Sequence, residues 1–174
     1  GMMDCKKALI ETGADIEQAI DWLRKKGLSA AAKKSTRVAS EGLVSLALEN
    51  NVGALVEVNA ETDFVARNTE FQNFAVQTAK VALIDGAQVE KLSVAPYPGT
   101  EHSVADELID MVGRIGENMV VRRCSMLGVD RGVVAGYLHN AVTPNAGKIG
   151  VLVGLESVGD EESLKKFGHK LAMH

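Results

Sequence analysis

The sequence predicts an α+β fold: a small helical N-terminal unit, then a core of two related halves, each built of antiparallel strands and helices. Three observations carry this expectation. The first 27 residues show only helical periodicity. Beyond residue 41, β-rich runs come in pairs separated by turn residues. The order strand, turn, strand, loop, helix then occurs twice, with Gly42 and Gly132 opening the two units. At 174 residues the chain can bury about two-thirds of its unfolded surface in one core with a small appendage.

In DIEQAIDWLRKKG, Ile16, Ala19, Ile20 and Leu23 recur at i, i+3, i+4 and i+7, which makes one apolar helix face. Asp15 suits the N-cap and Gly27 the C-terminal stop, with Arg24, Lys25 and Lys26 complementing the dipole at that end. Cys5, Ala8 and Leu9 suggest a shorter helix before it, ending at Gly13. Two short helices bury little alone, so they either dock on the rest or lack a helix that should precede Gly1. Residues 28–41, LSAAAKKSTRVASE, are small and basic with little apolar periodicity, and read as a linker with at most partial helicity. GLVSLAL and GALVEVNA then form a hairpin around Glu49, Asn50, Asn51 and Val52. In the helix that follows, Thr69 and Gln72 fit a capping box, and Phe71, Phe74, Ala75, Thr78 and Ala82 line one face.

Gly86, Pro96, Pro98 and Gly99 make residues 85–102 an irregular insertion. SVADELIDMVGRIG is an amphipathic helix with Val104, Leu108, Ile109 and Val112 on one side, and MVVRRC reads as a strand. The second unit repeats the plan: GVVAGYLHN and KIGVLVGLES as strands, then GDEESLKKFGHKLAMH as a helix facing inward through Leu164, Phe167 and Leu171. The expected division is therefore a partial helical domain at 1–27, a linker at 28–41, the first half of the core at 42–131 and the start of its second half at 132–174.

Composition narrows the chemistry. Net charge is −4 and the sequence pI is near 5.6, which argues against a dedicated nucleic-acid binder. Cys5 and Cys124 lie far apart and outside any CxxC pattern, as expected of reduced thiols in a cytosolic protein. No apolar run approaches a membrane span, and GMMDCKKAL lacks a signal-peptide layout. GxxxxGK[ST] and GxSxG are both absent, and the four histidines form no zinc-like pair. Asp106–Glu107 and Glu161–Glu162 stand at helix starts, where they complement the dipole. No catalytic site, metal or cofactor is expected. The basic run Arg24, Lys25, Lys26, Lys33, Lys34 and Arg37 has no aromatic residue interleaved after Trp22. It reads as a solvated linker, with an RNA-binding accessory domain as the alternative.

The stretch AETDFVARNTEF, residues 60–71, places a carboxylate and a ring, Asp63 and Phe64, where a strand gives way to a helix. One reading folds Phe64 back into the core. The other leaves it exposed on a rigid turn as an interface anchor, since Phe71 and Phe74 already supply rings to the next helix. Asp63 can itself cap a short turn reaching Arg67.

NAETDFVARN closely resembles the signature of the elongation factor Ts family, the nucleotide-exchange factors of elongation factor Tu. GMMDCKKAL and IEQAIDWLRKKG are similar to that family's small N-terminal domain, which is akin to ubiquitin-associated domains. RIGENMVVRR, GYLHN and GVLVGLES are similar to segments of its core. The resemblance implies a partner, elongation factor Tu, whose GDP release is promoted so that GTP can rebind. It implies no catalytic chemistry, no cofactor and no direct contact with nucleic acid or membrane. Within the motif, Asp63 and Phe64 would enter the GTPase between helices near its magnesium site, with Thr62, Val65, Arg67 and Asn68 alongside. His139, in the YxH segment, would press on the partner so that its phosphate-binding loop is disturbed. Met2, Met3 and Lys6 would contact the GTPase domain. Family members carry a helix before GMMDCKK and continue well past AMH, so the resemblance implies a fragment.

Overall fold

A computed structural model describes residues 2–174. Helices α1 (Met2–Glu11) and α2 (Ile16–Lys34) form an N-terminal helical pair. Asp15 caps α2 as its position predicts, its Oδ1 accepting from the Gln18 N–H at 2.9 Å. Gly27 does not stop the helix. α2 runs on to Lys34 and takes up half of the expected linker. The reason lies in packing against α6 (Val104–Ile115): a Cβ placed on Gly113 would sit 3.8 Å from the Gly27 Cα. A Cβ at either glycine would meet only ordinary van der Waals neighbours, so neither is needed for the approach; the docking of α2 on α6 is the tertiary contact that outweighs the local stop signal. The apolar face read from the sequence is also only partly covered. Ala19 is buried, whereas Ile16 and Ile20 are 69% and 59% exposed.

Strands β1 (Glu41–Glu49) and β2 (Val52–Ala60) make the expected hairpin, with Glu49 opposite Val52 and Asn50 at φ 52° in its two-residue turn. A single turn, α3 (Asp63–Ala66), leads into α4 (Thr69–Asp85). The capping box assigned to Thr69 and Gln72 is not formed. Asn68 is the cap, its Oδ1 accepting from Glu70 N at 2.8 Å and Phe71 N at 3.4 Å, while Gln72 Nε2 donates back to the Ala66 carbonyl at 3.2 Å. Thr69 is already helical, and an amide oxygen one residue earlier reaches the first free N–H groups. Phe71, Phe74, Ala75, Thr78 and Ala82 are buried as their spacing predicts.

The insertion is less irregular than expected. It holds α5 (Val89–Val94), which seats Leu92 in the core, and Tyr97, whose ring stacks on Phe74 at 5.6 Å. A capping box opens α6: Ser103 Oγ accepts from Asp106 N at 3.1 Å, and the Asp106 carboxylate accepts from Ser103 N at 3.4 Å. The Ser103 hydroxyl, which also donates to that carboxylate, holds it below the usual range. Strand β3 (Met119–Gly128) completes the first half.

The second half comprises β4 (Gly132–His139), the short β5 (Ala146–Gly147), β6 (Ile149–Glu156) and α7 (Glu161–Met173). The main sheet has the order β3-β2-β1-β5, and β4 and β6 form a separate antiparallel pair. One face of the main sheet carries α4, the other receives the β4–β6 hairpin, and α7 covers that hairpin from outside. The hairpins mesh through glycine notches. A Cβ on Gly136 would lie 2.7 Å from Leu46 Cδ2, and one on Gly150 would lie 2.7 Å from Leu55 Cδ2.

The duplicated plan has a backbone signature. Gly42 has φ +146° and Gly132 φ +138°, and a Cβ on either would fall about on the opposite strand, 2.1 Å from the Val58 carbonyl oxygen and 1.9 Å from that of Leu155. The inward face assigned to α7 is corrected. Gly168 and Ala172 are buried, while Phe167 and Leu171 are 57% and 46% exposed. A Cβ on Gly168 would come within 2.7 Å of Ala135 Cβ, so α7 seats on the sheet through its smallest residues and its large ones rotate outward.

Candidate functional site

The residues at issue begin where β2 ends. Ala60, fully buried, anchors the strand end in the core, and the chain then makes the single turn α3. Val65 and Ala66 point inward, with 6% and 2% exposure, while the ring of the preceding residue, Phe64, points outward. It is 79% exposed. The alternative in which Phe64 folds into the core is thus removed, and its neighbours explain why. Phe71 and Phe74, both fully buried, already supply the aromatic rings of the core beneath α4. Val65, read from the motif as a partner contact, has almost no surface to offer and serves to seat the turn.

The turn is clamped from the far side. Both oxygens of Glu117 accept from Thr62, Oε2 from the backbone N–H at 3.0 Å and Oε1 from the hydroxyl at 2.7 Å. Glu61 reciprocates by accepting from Asn118 N at 2.6 Å, and Asn118 Nδ2 donates to the Arg37 carbonyl at 2.7 Å. The charge-assisted bonds to Glu117 and Glu61, with the neutral bond to the Arg37 carbonyl, tie the strand end, the segment after α2 and the α6–β3 junction to one another. Glu117 can reach Thr62 because Gly116, at φ +91°, ends α6 and turns the chain. Sequence reading pointed to RIGENMVVRR without giving Glu117 or Asn118 a role. The signal was the pairing of a helix-terminating glycine with an acidic residue directly before a strand.

Asp63 and Arg67 form an exposed i, i+4 ion pair at 3.0 Å, which sets their directions more than it adds stability. Asn68 is committed to capping α4, and the Thr62 hydroxyl to Glu117. Phe64, with the half-buried Asp63 and the exposed Arg67 beside it, is therefore the part of the motif whose side chains are not tied to the protein's own backbone, Asn68 being exposed but held as a cap.

Asp63, Ala66, Arg67 and Gln72 form one wall of a groove whose other wall includes Asn140 and Val142. The tip following β4 thereby comes beside the α3 turn. His139, the last residue of β4, is exposed, with its Nδ1 3.1 Å from the Tyr137 hydroxyl. Met2 and Met3, 87% and 73% exposed, and the exposed Lys6 lie on α1, which packs on α2 and contributes nothing to this groove. The structure thus brings together the α3 turn and the end of β4, and leaves the α1 residues as a separate surface.

Two members of the basic run have local partners. Lys26 pairs with Asp4 and lies over the Trp22 ring at 5.5 Å, Lys33 and Lys34 occupy the last turn of α2, and Arg37 reaches Glu61 at 3.5 Å. Among the described residues no group of three His, Cys, Asp or Glu side chains is placed to hold a metal, and no helix is long and apolar enough to cross a membrane. Cys5 and Cys124 are unpaired, and burial pushes the Cys124 thiol up, away from reactivity. What the site can offer is mechanical and electrostatic: an apolar ring on a braced turn, a carboxylate next to it, and an imidazole nearby.

The family model described as Elongation factor TS matches residues 61–174, which takes in the α3 turn, the Glu117 clamp and every element from β4 to α7. Curated relatives match over the full chain. The chain is 59% identical over 174 residues to the elongation factor Ts of Rhodospirillum centenum, covering 57% of that protein. It is 58% identical over 174 residues to that of Paramagnetospirillum magneticum, covering 56%, and 55% identical over 175 residues to that of Rhodospirillum rubrum, covering 57%. The chain spans a little over half the length of the curated relatives it matches.

Proposed function

The chain belongs to the elongation factor Ts family, and on that premise we propose that it forms part of a cytoplasmic exchange factor that binds elongation factor Tu and promotes GDP release. The observation that supports this reading is the exposed Phe64 ring on a turn held by Glu117, Val65 and the Asn68 cap. A GTPase holds its nucleotide through its phosphate loop and a bridging Mg²⁺. A protein that binds the nucleotide-free state more tightly than the nucleotide-bound state weakens nucleotide binding by the same factor. It requires no catalytic acid or base of its own, only rigid groups that enter or distort the nucleotide site and further contacts that supply affinity.

In this reading Phe64 inserts between elements of the GTPase close to its magnesium site, and Asp63 brings negative charge towards the region where the cation is held. His139, presented from the neighbouring strand end, presses on the same domain, and Arg67 fixes the carboxylate of Asp63. Met2, Met3 and Lys6 supply a second, separate contact from α1. The experiment is release of a fluorescent GDP analogue from purified elongation factor Tu, with and without the full-length protein. Acceleration by the wild type, lost to a large extent in Asp63→Ala/Phe64→Ala, is the expected result. Equal acceleration by the double variant would remove the α3 turn from the mechanism. The RNA-binding alternative through Arg24, Lys25, Lys26, Lys33, Lys34 and Arg37 is tested by affinity for RNA against salt: a steep negative log–log slope would favour it.

A further inference from the structure

Strand alternation puts Tyr137 and His139 on one face of β4, two residues apart. The Tyr137 hydroxyl oxygen lies 3.1 Å from His139 Nδ1, with the ring centroids 6.1 Å apart. The Tyr137 ring also meets the ring of His169, from α7, edge to face at 5.7 Å and 73°. His169 is in turn fixed to the strand, its Nδ1 lying 2.9 Å from the Gly136 carbonyl oxygen. Three rings from two elements thus make one contact set that shares Tyr137 and includes His139.

The partners decide where the protons sit. A carbonyl oxygen only accepts, so His169 Nδ1 carries a hydrogen. Between a phenol and a neutral imidazole, the phenol is the stronger donor and the unprotonated ring nitrogen the stronger acceptor. Tyr137 therefore donates to His139 Nδ1, and the proton of neutral His139 resides on Nε2. With Nδ1 engaged, Nε2–H is the polar group this exposed ring has left for another molecule.

We propose that Tyr137, buttressed by His169, is a positioning residue that holds His139 in the Nε2–H tautomer and in one orientation, so that it presents a single hydrogen-bond donor to a carbonyl or carboxylate oxygen of the GTPase. The proposal rests on the reading of His139 as a contact in nucleotide exchange. An unrestrained imidazole at a strand end would lose tautomeric and rotational freedom on docking; here that ordering is done in advance by the fold. His169 extends the restraint to α7, so the helix covering the second hairpin shapes the contact without touching the partner.

The test uses full-length protein with ¹⁵N-labelled histidine, its ring nitrogens read by long-range proton–nitrogen correlation at about pH 8, above the ordinary histidine range. In the wild type, His139 shows an unprotonated Nδ1 and a protonated Nε2. Tyr137→Phe keeps the ring against His169 and removes only the hydroxyl. The two His139 resonances then move towards each other as the tautomers average, while His169 keeps its protonated Nδ1. In GDP release from elongation factor Tu, Tyr137→Phe slows the accelerated rate roughly fivefold, the effect of one ordinary hydrogen bond. It causes no further loss when combined with His139→Ala.

His169→Asn, which can still donate to the Gly136 carbonyl but offers no ring edge, shifts the His139 resonances in the same direction by less. Unmoved His139 resonances in Tyr137→Phe, or additive losses in the double variant, would overturn the proposal. If His139→Ala releases GDP at the wild-type rate while its tautomer still depends on Tyr137, the failure lies in the exchange role of His139, and the functional half of the proposal falls with it.

Discussion

Phe64→Ala removes a ring that is 79% exposed in the free chain, so its effect on folding and its effect on binding separate cleanly. Fully burying a phenylalanine side chain contributes about 1.5–3 kcal/mol. About four-fifths of that surface is available for a partner to cover, which leaves about 1.2–2.4 kcal/mol, or roughly a seven- to fiftyfold loss of affinity. The chain itself should barely notice the change. A surface substitution moves stability by about 0.5 kcal/mol or less, which is about 2 °C or less in melting temperature for a protein of this size. Calorimetric titration of the full-length protein into nucleotide-free elongation factor Tu reads the first quantity, and scanning calorimetry reads the second. Phe64→Leu, which keeps an apolar body, should fall between wild type and alanine in affinity. Retained affinity together with a melting temperature lowered by about 6 °C or more would refute the reasoning, because it would mean that the ring packs within its own protein.

Glu117→Ala leaves the backbone N–H and the hydroxyl of Thr62 without their acceptor; it should cost about 1–3 kcal/mol in a denaturant melt and raise amide exchange across residues 62–67. Gly27→Ala should stabilise by about 0.5–1 kcal/mol, because the new Cβ meets nothing closer than Asp110 Oδ1 at 3.6 Å inside a helix. Gly42→Ala should instead destabilise by more than about 3 kcal/mol, since its Cβ would stand 2.1 Å from a backbone oxygen. Burial, reinforced by the Glu107 charge, pushes the Tyr97 hydroxyl from 10.0 up to about 12, so the neutral form is favoured in the folded state. The resulting stability is complete below pH 10 and is lost as the pH rises towards about 12; melts across that window should show the decline, and Tyr97→Phe should flatten it.

Much of this architecture can be read from periodicity. The hairpin around Asn50 and Asn51, the buried face of α4 and the doubled plan opened by Gly42 and Gly132 follow from local pattern, because each is dictated by turn chemistry or by an uninterrupted apolar stripe. Two of the misreadings share one physical origin, which is that contacts made by small residues are silent in such patterns. Gly27 reads as a helix stop and is a contact point with Gly113; Phe167 and Leu171 read as an inward face, while Gly168 and Ala172 do the packing. In the site, Phe64 stood out because a large ring is unusual in a turn. Glu117 did not, because its meaning depends on Thr62, which lies 55 residues away in the chain.

The meshed hairpins have a consequence for recognition. Leu46 enters the notch at Gly136 and Leu55 the notch at Gly150, so one hairpin cannot slide along the other without steric collision. Phe64 belongs to the segment leaving the first hairpin and His139 to the tip of the second. The spacing between these two protrusions is thus set by interlocked hairpins, and behaves as a fixed gauge. On the proposed reading of Phe64 and His139 as partner contacts, a docking surface would have to meet both at that one separation, and selectivity among related GTPases would be a matter of span as much as of chemistry.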